Sequence, residues 1–248
     1  MITLNNISVT FGKGTPLETT VFKDFNLKIN PGEFVTVIGG NGAGKSTLMN
    51  LISGDALSDS GSIILDNIAV TKWPTHKRAQ LISRVFQDPL LGSYADLTIE
   101  ENLSLAFSRG KSRTLTMALR ENLREQFRER LSHMALNLEN RLTDKMGLLS
   151  GGQRQAVSLV MATLRPSKIL LLDEHTAALD PKMEGLILEL TKRLIQEQKL
   201  TALMITHSMF QALEFGTRTL MMHHGKIVHD LNGGERDQLQ AKDLVGFF

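Results

Sequence analysis

Eight consecutive residues combine glycines with a lysine and a serine: Gly39, Gly40, Asn41, Gly42, Ala43, Gly44, Lys45 and Ser46. An apolar run precedes them and a helical pattern from Lys45 to Ser53 follows, which is the context of a phosphate-binding loop. Glycines let the backbone wrap closely around phosphates, so that N–H groups and the positive helix end meet the anion. We expect Lys45 to reach the β- and γ-phosphates of a nucleotide, Ser46 to ligate Mg²⁺ and Thr47 to add a phosphate hydrogen bond. A plain glycine-rich turn would explain neither the lysine nor the serine.

Two adjacent carboxylates follow another apolar run. The run 169–172 leads directly into Asp173 and Glu174, so both side chains are expected at the carboxyl end of a buried strand, where open α/β sheets bind ligands. Asp173 suits the holding of Mg²⁺, directly or through water, and Glu174 suits the polarisation of an attacking water molecule. Such a pair could simply end a strand at the surface. Its occurrence together with the phosphate-binding loop favours the chemical interpretation.

A serine and two glycines form a third candidate site. Ser150, Gly151, Gly152 and Gln153 follow Leu149 and precede a helical pattern, so the serine is expected to cap a helix whose N-terminus attracts an anion. An ordinary serine cap is the alternative. Two phosphate-binding sites in one chain imply a shared ligand, and the order of the motifs favours that interpretation.

Three apolar runs, at 34–38, 169–172 and 202–205, are continuous rather than alternating. This pattern is typical of strands that are covered on both faces in a parallel sheet. The N-terminal segments 2–11 and 21–29 mix polar and apolar residues and are joined through glycines, which predicts a small antiparallel β layer. The fold class is therefore α/β, with helices and strands alternating towards the C-terminus.

The stretch from Thr98 to Leu138 is helical in pattern and strongly charged. Arg120, Arg124 and Arg128 form one stripe of this predicted helix, and neighbouring glutamates can pair with them, as Glu121 can with Arg124. The simplest interpretation of the stripe is a solvated helix face.

Composition excludes several classes of function. The 28 Lys plus Arg against 26 Asp plus Glu leave a formal net charge of +2, which does not demand a nucleic-acid or anionic-membrane partner. The absence of Cys excludes a disulfide framework or a thiolate metal site and is typical of a reducing compartment. Residues 1–10 lack the pattern of a signal peptide, and no apolar run approaches the roughly 20 residues that span a bilayer. We therefore expect a cytoplasmic protein that reaches a membrane only through a partner.

With these motifs in this order, the chain resembles the ATP-binding subunit of ABC transporters along its whole length. The loop at 39–46 is similar to the family's Walker A motif, residues 150–153 to its signature motif, and Asp173 and Glu174 to its Walker B aspartate and catalytic glutamate. The signature motif is far more specific than a phosphate-binding loop. The resemblance implies ATP and Mg²⁺ as cofactors.

Four further matches extend the resemblance. Gln87, in Val-Phe-Gln-Asp-Pro, matches the loop residue that senses Mg²⁺ and contacts the permease, and His207 matches the switch histidine at the γ-phosphate. Residues 178–180, Ala-Leu-Asp, resemble the loop that links the two active sites of a dimer. Phe11 lies where the family places an aromatic, usually tyrosine, that stacks on adenine. Outside this pattern, His207 would be a satisfied buried histidine and Phe11 could be a core aromatic.

Taken residue by residue, the resemblance assigns roles in catalysis, in nucleotide binding and in metal binding. The catalytic candidates are Lys45, Gln87, Glu174 and His207, and the metal candidates are Ser46, Gln87 and Asp173. The implied fold is a P-loop NTPase core of the ABC-ATPase type, a single domain over 1–248 with the N-terminal antiparallel β layer and a helical subdomain at about 89–165.

One departure from the family pattern marks this chain. Residues 175–178, His-Thr-Ala-Ala, follow the glutamate where the broader family commonly has Pro and Ser. Together with residues 86–89, Phe-Gln-Asp-Pro, this is similar to a subgroup of importer ATPases labelled as tryptophan or tyrosine transport components. His175 has two interpretations, a structural role in the loop and the tuning of the hydrolytic carboxylate, and the first is favoured.

The resemblance also implies partners. Two copies should face each other head to tail, with each ATP between one subunit's phosphate loop and the other's signature helix. Hydrolysis would release the halves and move the segment from Gln87 to Arg109 against an integral membrane permease. An importer would add a solute-binding protein, and no nucleic acid is expected. We expect the chain on the cytoplasmic face of the cell membrane and favour import of a solute such as an amino acid, although the transported solute is chosen by the permease.

Several alternatives share these motifs. An exporter or a lipid or lipoprotein extractor would look the same in this chain. A soluble ABC ATPase of DNA repair would need a long heptad segment between the Walker motifs, which is lacking, and a translation factor would usually carry two cassettes. A non-hydrolysing regulatory subunit is disfavoured because Lys45, Asp173, Glu174 and His207 are all present.

Overall fold

The computed structural model describes residues 1–110 and 121–245 of the chain, so Arg120 of the predicted stripe lies outside the described residues. The chain divides into two compact units. The first comprises Met1–Ile82, Lys168–Asp173 and Lys199–Phe248, and the second comprises Ser83–Ser167 and Glu174–Gln198. The range of about 89–165, for which the sequence predicts a helical subdomain, falls within the second unit.

Strands and helices are numbered in chain order over the described residues. The strands are β1 (Ile2–Phe11), β2 (Thr19–Ile29), β3 (Phe34–Gly39), β4 (Ser60–Leu65), β5 (Ile68–Ala69), β6 (Ile82–Val85), β7 (Ile169–Asp173), β8 (Thr201–Ile205), β9 (Arg218–His223) and β10 (Lys226–Asn232). The helices are α1 (Lys45–Ser53), α2 (Thr75–Arg78), α3 (Ile99–Phe107), α4 (Glu121–Ser132), α5 (Gly151–Thr163), α6 (Pro181–Gln198), α7 (Met209–Phe215), α8 (Gly233–Asp237) and α9 (Ala241–Val245). Among these helices, none combines the length and the apolar character needed to span a membrane.

In the first unit, an antiparallel sheet has the strand order β2-β1-β4-β5. Buried and exposed side chains alternate along the second half of β2, because successive residues of a strand point to opposite faces. The sheet confirms the N-terminal β layer that the sequence predicts and adds β4 and β5 to it.

The other sheet of this unit places β10, β9, β3, β8 and β7 side by side in that order. The strand β3 pairs in parallel with β8 and β9, β7 pairs in parallel with β8, and β10 is antiparallel to β9. Every residue of β3 and β8 is buried, as continuous apolar runs predict for a parallel sheet. The predicted strands at 34–38, 169–172 and 202–205 are thus confirmed as neighbours.

Side chains from the two faces of this sheet enter different cores. Val35 and Val37 of β3 belong to a large cluster with residues of the antiparallel sheet and of α1, among them Leu48. Ile38 belongs to a smaller cluster with residues of β9, α7 and α9. Alternate residues of a strand point to opposite faces, so helices and strands cover the sheet on both sides. Because a slip of one residue would exchange the two faces, this burial fixes the register of the strands.

The second unit contains the helices α3, α4, α5 and α6. Leu103, Phe127 and Leu159 are among its buried side chains, and α5 contacts both α3 and α6. Thr98 begins α3 with a capping box: its hydroxyl accepts the N–H of Glu101, and the Glu101 carboxylate accepts the N–H of Thr98. The unit therefore has its own apolar core, around which its loops are held.

Arg124 departs from the predicted solvated face of α4, whereas Arg128 of the same stripe is exposed as predicted. Its Nε and Nη2 donate to Glu100 Oε2 and Oε1 at 2.7 and 2.9 Å, and Glu100 of α3 is only 5% exposed. The hydrogen bonds to Glu100 raise the pKa of the Arg124 guanidinium. The predicted pairing within α4 is confirmed, with Arg124 Nη1 3.4 Å from Glu121 Oε2. Arg124 thus joins α4 to α3, which spacing along one helix could not reveal.

Candidate functional site

In the first unit, the candidate residues lie at the carboxyl edge of the parallel strands. Asp173, the last residue of β7, is in register with Ile205 of β8, and Ile205 is in register with Val37 of β3. Gly39 and His207 each lie two residues beyond this row. The phosphate-loop residues, the aspartate and the histidine therefore leave neighbouring strands at one edge, which is where parallel α/β sheets bind ligands.

The glycine-rich loop is held by hydrogen bonds on two sides. Lys45 Nζ donates to the carbonyl oxygens of Gly39 and Gly40 at 2.7 and 3.1 Å. The Gly225 N–H donates to the Ala43 carbonyl at 3.0 Å. A Cβ on Gly39 would come within 3.1 Å of the Ala43 Cβ and would clash with the carbonyl oxygen of Met222 in the neighbouring strand β9. Only glycine therefore fits at this position. The loop thus encloses the lysine ammonium group, where it can meet phosphate oxygens.

The first turn of α1 is open to an anion. Its N-cap is Gly44, with a φ of 101°, a conformation that favours glycine. Because glycine has no side chain, the N-cap residue itself provides no side-chain cap to the backbone N–H groups of this turn. Ser46 is exposed and Thr47 is partly exposed in the same turn. The turn therefore offers N–H groups, the positive helix end and two hydroxyls to a phosphate.

Ser46 and Asp173 supply the oxygen donors that suit Mg²⁺. Mg²⁺ usually binds through one or two protein oxygens together with phosphate oxygens and water, rather than in a cage made by the protein alone. A hydroxyl in the first turn of α1 and a partly exposed carboxylate at the end of β7 match that donor set. The first unit therefore fits a nucleotide bound together with Mg²⁺.

His207 lies on the turn between β8 and α7 and is exposed, so it is not the buried histidine that the sequence alone allowed. Thr206 Oγ1 donates to Gln211 Oε1 at 2.6 Å and accepts the Ser208 N–H at 3.1 Å. Ser208 Oγ in turn accepts the Gln211 N–H at 3.2 Å, which caps α7. The backbone on both sides of His207 is therefore fixed.

Phe11 ends β1, and its side chain is 46% exposed. The alternative of a core aromatic is therefore wrong. An exposed ring at a strand end is open to stacking on a base, and the stacking itself stays a prediction.

In the second unit, α5 begins directly at the predicted signature residues. Ser150 is its N-cap: Ser150 Oγ accepts the Gln153 N–H at 3.3 Å, and Gln153 Oε1 accepts the Ser150 N–H at 3.1 Å. The predicted serine cap is thus confirmed, with the two glycines in the first turn. Arg141 Nη1 donates to the same Gln153 oxygen at 3.3 Å, and Arg141 Nε donates to Asp144 Oδ2 at 2.7 Å. The positive end of α5 is therefore braced from outside the helix.

Gln87 lies in the loop after β6 and is exposed. Both of its neighbours are held. The Phe86 carbonyl accepts a hydrogen bond from Gln155 Nε2 of α5 at 3.2 Å, and Asp88 Oδ1 accepts the Leu90 N–H at 2.9 Å. Because Gln155 is buried, the helix that begins at the signature residues also fixes the loop of Gln87.

Glu174 follows β7 with a φ of 45°, in the left-handed region that residues with a side chain rarely adopt. His175 is 2% exposed, and its Nε2 lies 3.1 Å from Thr191 Oγ1 of α6. Burial lowers the pKa of His175 to about 4, because a charged ring would lose its hydration. The imidazole is therefore neutral near pH 7, which favours the structural interpretation of this residue.

Sequence reasoning misses the side chains that hold these site residues. Arg141, Gln155 and Thr191 act on partners 12, 69 and 16 positions away in the chain. A motif describes neighbours along the chain, so it cannot reveal such bonds. For Gln155 a signal was available, since it lies beside the apolar residues 156–157 and a buried polar side chain needs a specific partner.

Comparison with known proteins finds relatives in sequence and in fold. The model of the ABC transporter family matches residues 22–177. The chain is 42% identical over 248 residues to the tyrosine transport ATP-binding protein of Clostridioides difficile (strain R20291), which covers 100% of this chain and 98% of that protein. It is 36% identical over 215 residues to the thiamine import ATP-binding protein ThiQ of Shigella sonnei (strain Ss046), covering 87% and 86% of the two chains. Among solved structures, a dimeric ATP-binding cassette in a post-hydrolysis state, bound to ADP and Pi, matches with a TM-score of 0.81 at 30% identity, covering 94% of this chain and 98% of that one.

Proposed function

Because the chain belongs to the ABC transporter family, we propose that it powers the import of an aromatic amino acid through a separate membrane permease. It is an ATP-binding, ATP-hydrolysing subunit of an ABC transporter, and the solved cassette that it matches is dimeric. The observation that carries the proposed substrate is the 42% identity, over the whole length of both chains, to a tyrosine transport ATP-binding protein. The proposed direction is supported by the 36% identity to a thiamine import ATP-binding protein.

In the proposed nucleotide site, Lys45 binds the β- and γ-phosphates, and the first turn of α1 adds its N–H groups and the Thr47 hydroxyl. This role is supported by the position of Lys45 Nζ inside the loop, 2.7 Å from the Gly39 carbonyl. Phe11 is proposed to stack on the adenine. The proposed Mg²⁺ ligands are Ser46, Gln87 and Asp173. When bound, Mg²⁺ would neutralise charge on the phosphate oxygens.

For hydrolysis, Glu174 is proposed to accept a proton from the attacking water while the water oxygen bonds to the γ-phosphorus and the bond to the β–γ bridging oxygen breaks. His207 is proposed to donate a hydrogen bond to the γ-phosphate. Its position at the sheet edge and the fixed backbone around it support this role.

We propose a head-to-tail dimer in which the N-terminus of α5 contacts the γ-phosphate of the ATP bound to the partner subunit. The positive end of this helix, where Ser150 and Gly151 are exposed, and the serine hydroxyl suit an anion. Hydrolysis removes the contact that joins the two copies, so the dimer opens. The same helix holds the loop of Gln87 through Gln155, which offers a route from the nucleotide to that loop.

The segment from Gln87 to Arg109 is the proposed contact with the permease, on the cytoplasmic face of the membrane. It carries large apolar side chains that are 40–71% exposed: Leu90, Leu91, Tyr94 and Leu105. Exposed apolar side chains grouped in this way are typical of an interaction surface. For import, a solute-binding protein would deliver the amino acid to the permease from the opposite side.

Uptake by host cells tests the proposed substrate and direction. Cells whose chain carries Glu174→Gln should lose the uptake of labelled tyrosine, phenylalanine or tryptophan, whereas thiamine uptake should stay unchanged. The control is Glu189→Gln, which changes an exposed glutamate of α6. If Glu174→Gln abolished thiamine uptake alone, the chain would power a thiamine importer and the proposed substrate would be wrong. If a solute accumulated in the cells instead, the chain would power an exporter and the proposed direction would be wrong.

A further inference from the structure

We infer that His175 is a positioning residue for hydrolysis: through its hydrogen bond to Thr191, it holds Glu174 in the backbone conformation that directs the carboxylate. This inference rests on the proposed catalytic role of Glu174. It assigns a task to a residue that stands where the family commonly has proline. A proline ring restricts its own φ. Histidine lacks that restriction, so in this chain another contact must hold the backbone.

The direction of the hydrogen bond follows from the protons available. Thr191 Oγ1 lies 2.7 Å from the Ile187 carbonyl, to which it donates its single hydroxyl proton. The same oxygen lies 3.1 Å from His175 Nε2 and therefore accepts a hydrogen bond there. His175 must then carry its proton on Nε2. Because His175 and Thr191 are 2% and 1% exposed, loss of the Thr191 hydroxyl would leave the Nε2–H of the buried ring without this partner.

Two attachments to α6 enclose the segment that follows Glu174. The first is the bond from His175 to Thr191 in the middle of the helix. The second is Asp180, whose Oδ1 accepts the N–H groups of Lys182 and Met183, each at 3.1 Å, at the start of the helix. Residues 174–180 are thus fixed to one helix at both ends.

Glu174 needs such support. Its φ of 45° is unfavourable for a residue with a side chain and persists only where the surroundings impose it. The Ala177 N–H donates to the Glu174 carbonyl at 3.0 Å, which forms a turn directly after the strained residue. Because His175, the next residue, is hydrogen-bonded to Thr191, this turn cannot change its conformation without breaking that buried hydrogen bond.

His175 also lines a cavity of about 430 Å³ whose walls include Gln87, Gln155 and Leu179. A small residue at position 175 would enlarge this cavity and disturb the loop for reasons of packing alone. The test therefore replaces His175 by glutamine or asparagine, whose amide side chains differ from each other in length. In His175→Gln the amide nitrogen can take the place of Nε2, whereas the shorter side chain of His175→Asn cannot reach Thr191.

The experiment measures kcat and KM for ATP, the nucleotide Kd and the unfolding midpoint of the full-length chain and its variants. We expect His175→Asn and Thr191→Val to lower kcat by at least about tenfold, because small misplacements of a reacting group are costly. Nucleotide Kd should change by less than about twofold, since no phosphate contact is removed. We expect His175→Gln and Thr191→Ser to retain kcat within about threefold, because both keep the hydrogen bond.

Thr163→Val is the matched control for Thr191→Val. Thr163 is also buried in a helix, and its hydroxyl donates to the carbonyl four residues earlier at 2.8 Å. Among the described residues, this hydroxyl has no hydrogen bond with a histidine. Equal losses of kcat in the two variants, or full kcat in His175→Asn, would overturn the inference. If His175→Asn fails to fold, the contrast between Thr191→Val and Thr191→Ser decides. Full hydrolysis by Glu174→Gln would instead overturn the proposed role of Glu174 itself, so the two failures are distinguishable.

Discussion

The two units of the chain hold their candidate residues by different means. In the first unit, Asp173, His207 and the loop that begins at Gly39 stand at the ends of parallel strands. The register of these strands is imposed by side chains buried on both faces of the sheet. In the second unit, Gln87 lies in a loop and Ser150 at a helix end. Their surroundings are held by a few individual hydrogen bonds, among them those from Gln155 and Arg141.

This difference has an energetic consequence. Each buried aliphatic side chain contributes about 1.5–3 kcal/mol, and many of them share the task of fixing the strands. A single hydrogen bond contributes about 0.5–1.5 kcal/mol. In the first unit, a change to one side chain should therefore lower nucleotide affinity only where it removes a direct contact with a phosphate. In the second unit, one lost hydrogen bond should be enough to alter turnover.

The largest effect is expected for Glu174→Gln in the second unit. Turnover should fall about 1,000-fold because the general base is lost, whereas ATP binding should persist. Light scattering should then show a dimer that forms only with ATP. Glu189→Gln, which changes an exposed glutamate of α6, should leave both properties unchanged. Turnover near that of the unchanged chain would remove Glu174 from the mechanism.

In the first unit, Lys45→Ala should weaken ATP binding about 100-fold, because charge-assisted hydrogen bonds to phosphate contribute about 1.5–3 kcal/mol each. Titration calorimetry measures the affinity, and light scattering should show a monomer with or without ATP. Lys72→Ala changes an exposed lysine of the same unit and is the matched control. Unaltered affinity in Lys45→Ala would contradict the assignment of the loop.

A smaller effect is expected from acid on the second unit. Burial holds the pKa of His175 at about 4 against an ordinary 6.5, so between these values the unfolded chain binds a proton that the folded chain does not. Stability should therefore fall as the pH drops below 6.5, by about 2 kcal/mol at pH 5 relative to His175→Gln. Denaturant unfolding of the two chains, without nucleotide or metal, measures this difference. Asp88 and Arg154, charged residues that line the same cavity as His175, are the same in both chains. An equal loss of stability on acidification in the unchanged chain and in His175→Gln would contradict a buried neutral histidine.

The smallest effect is expected for Arg141→Met. This substitution removes the hydrogen bond from Arg141 to Gln153, which stabilises the start of α5 by about 1 kcal/mol. Turnover should fall about fivefold, with unchanged nucleotide affinity. Arg130→Met, at an exposed position of α4, is the control. If Arg141→Met instead lowers nucleotide affinity, the proposed division between the units fails.

Much of the fold was predictable. The strands at 34–38, 169–172 and 202–205, the helix from Lys45 and the serine cap of α5 follow from local patterns, because each depends on neighbours along the chain. The stripe on α4 was predicted less well. Its period is helical, but a repeat along one helix does not show that Arg124 meets a buried glutamate on another.

By itself, the sequence determined the chemistry available to this protein. The phosphate loop, the paired carboxylates and the signature serine with its glycines are contiguous, and their residue types and order are enough to identify them. Only the tertiary structure decided that Asp173 shares a row with Ile205 and Val37, and that Thr191 receives the His175 ring. Strand register and helix packing bring together residues far apart in the chain, and no local pattern encodes those distances.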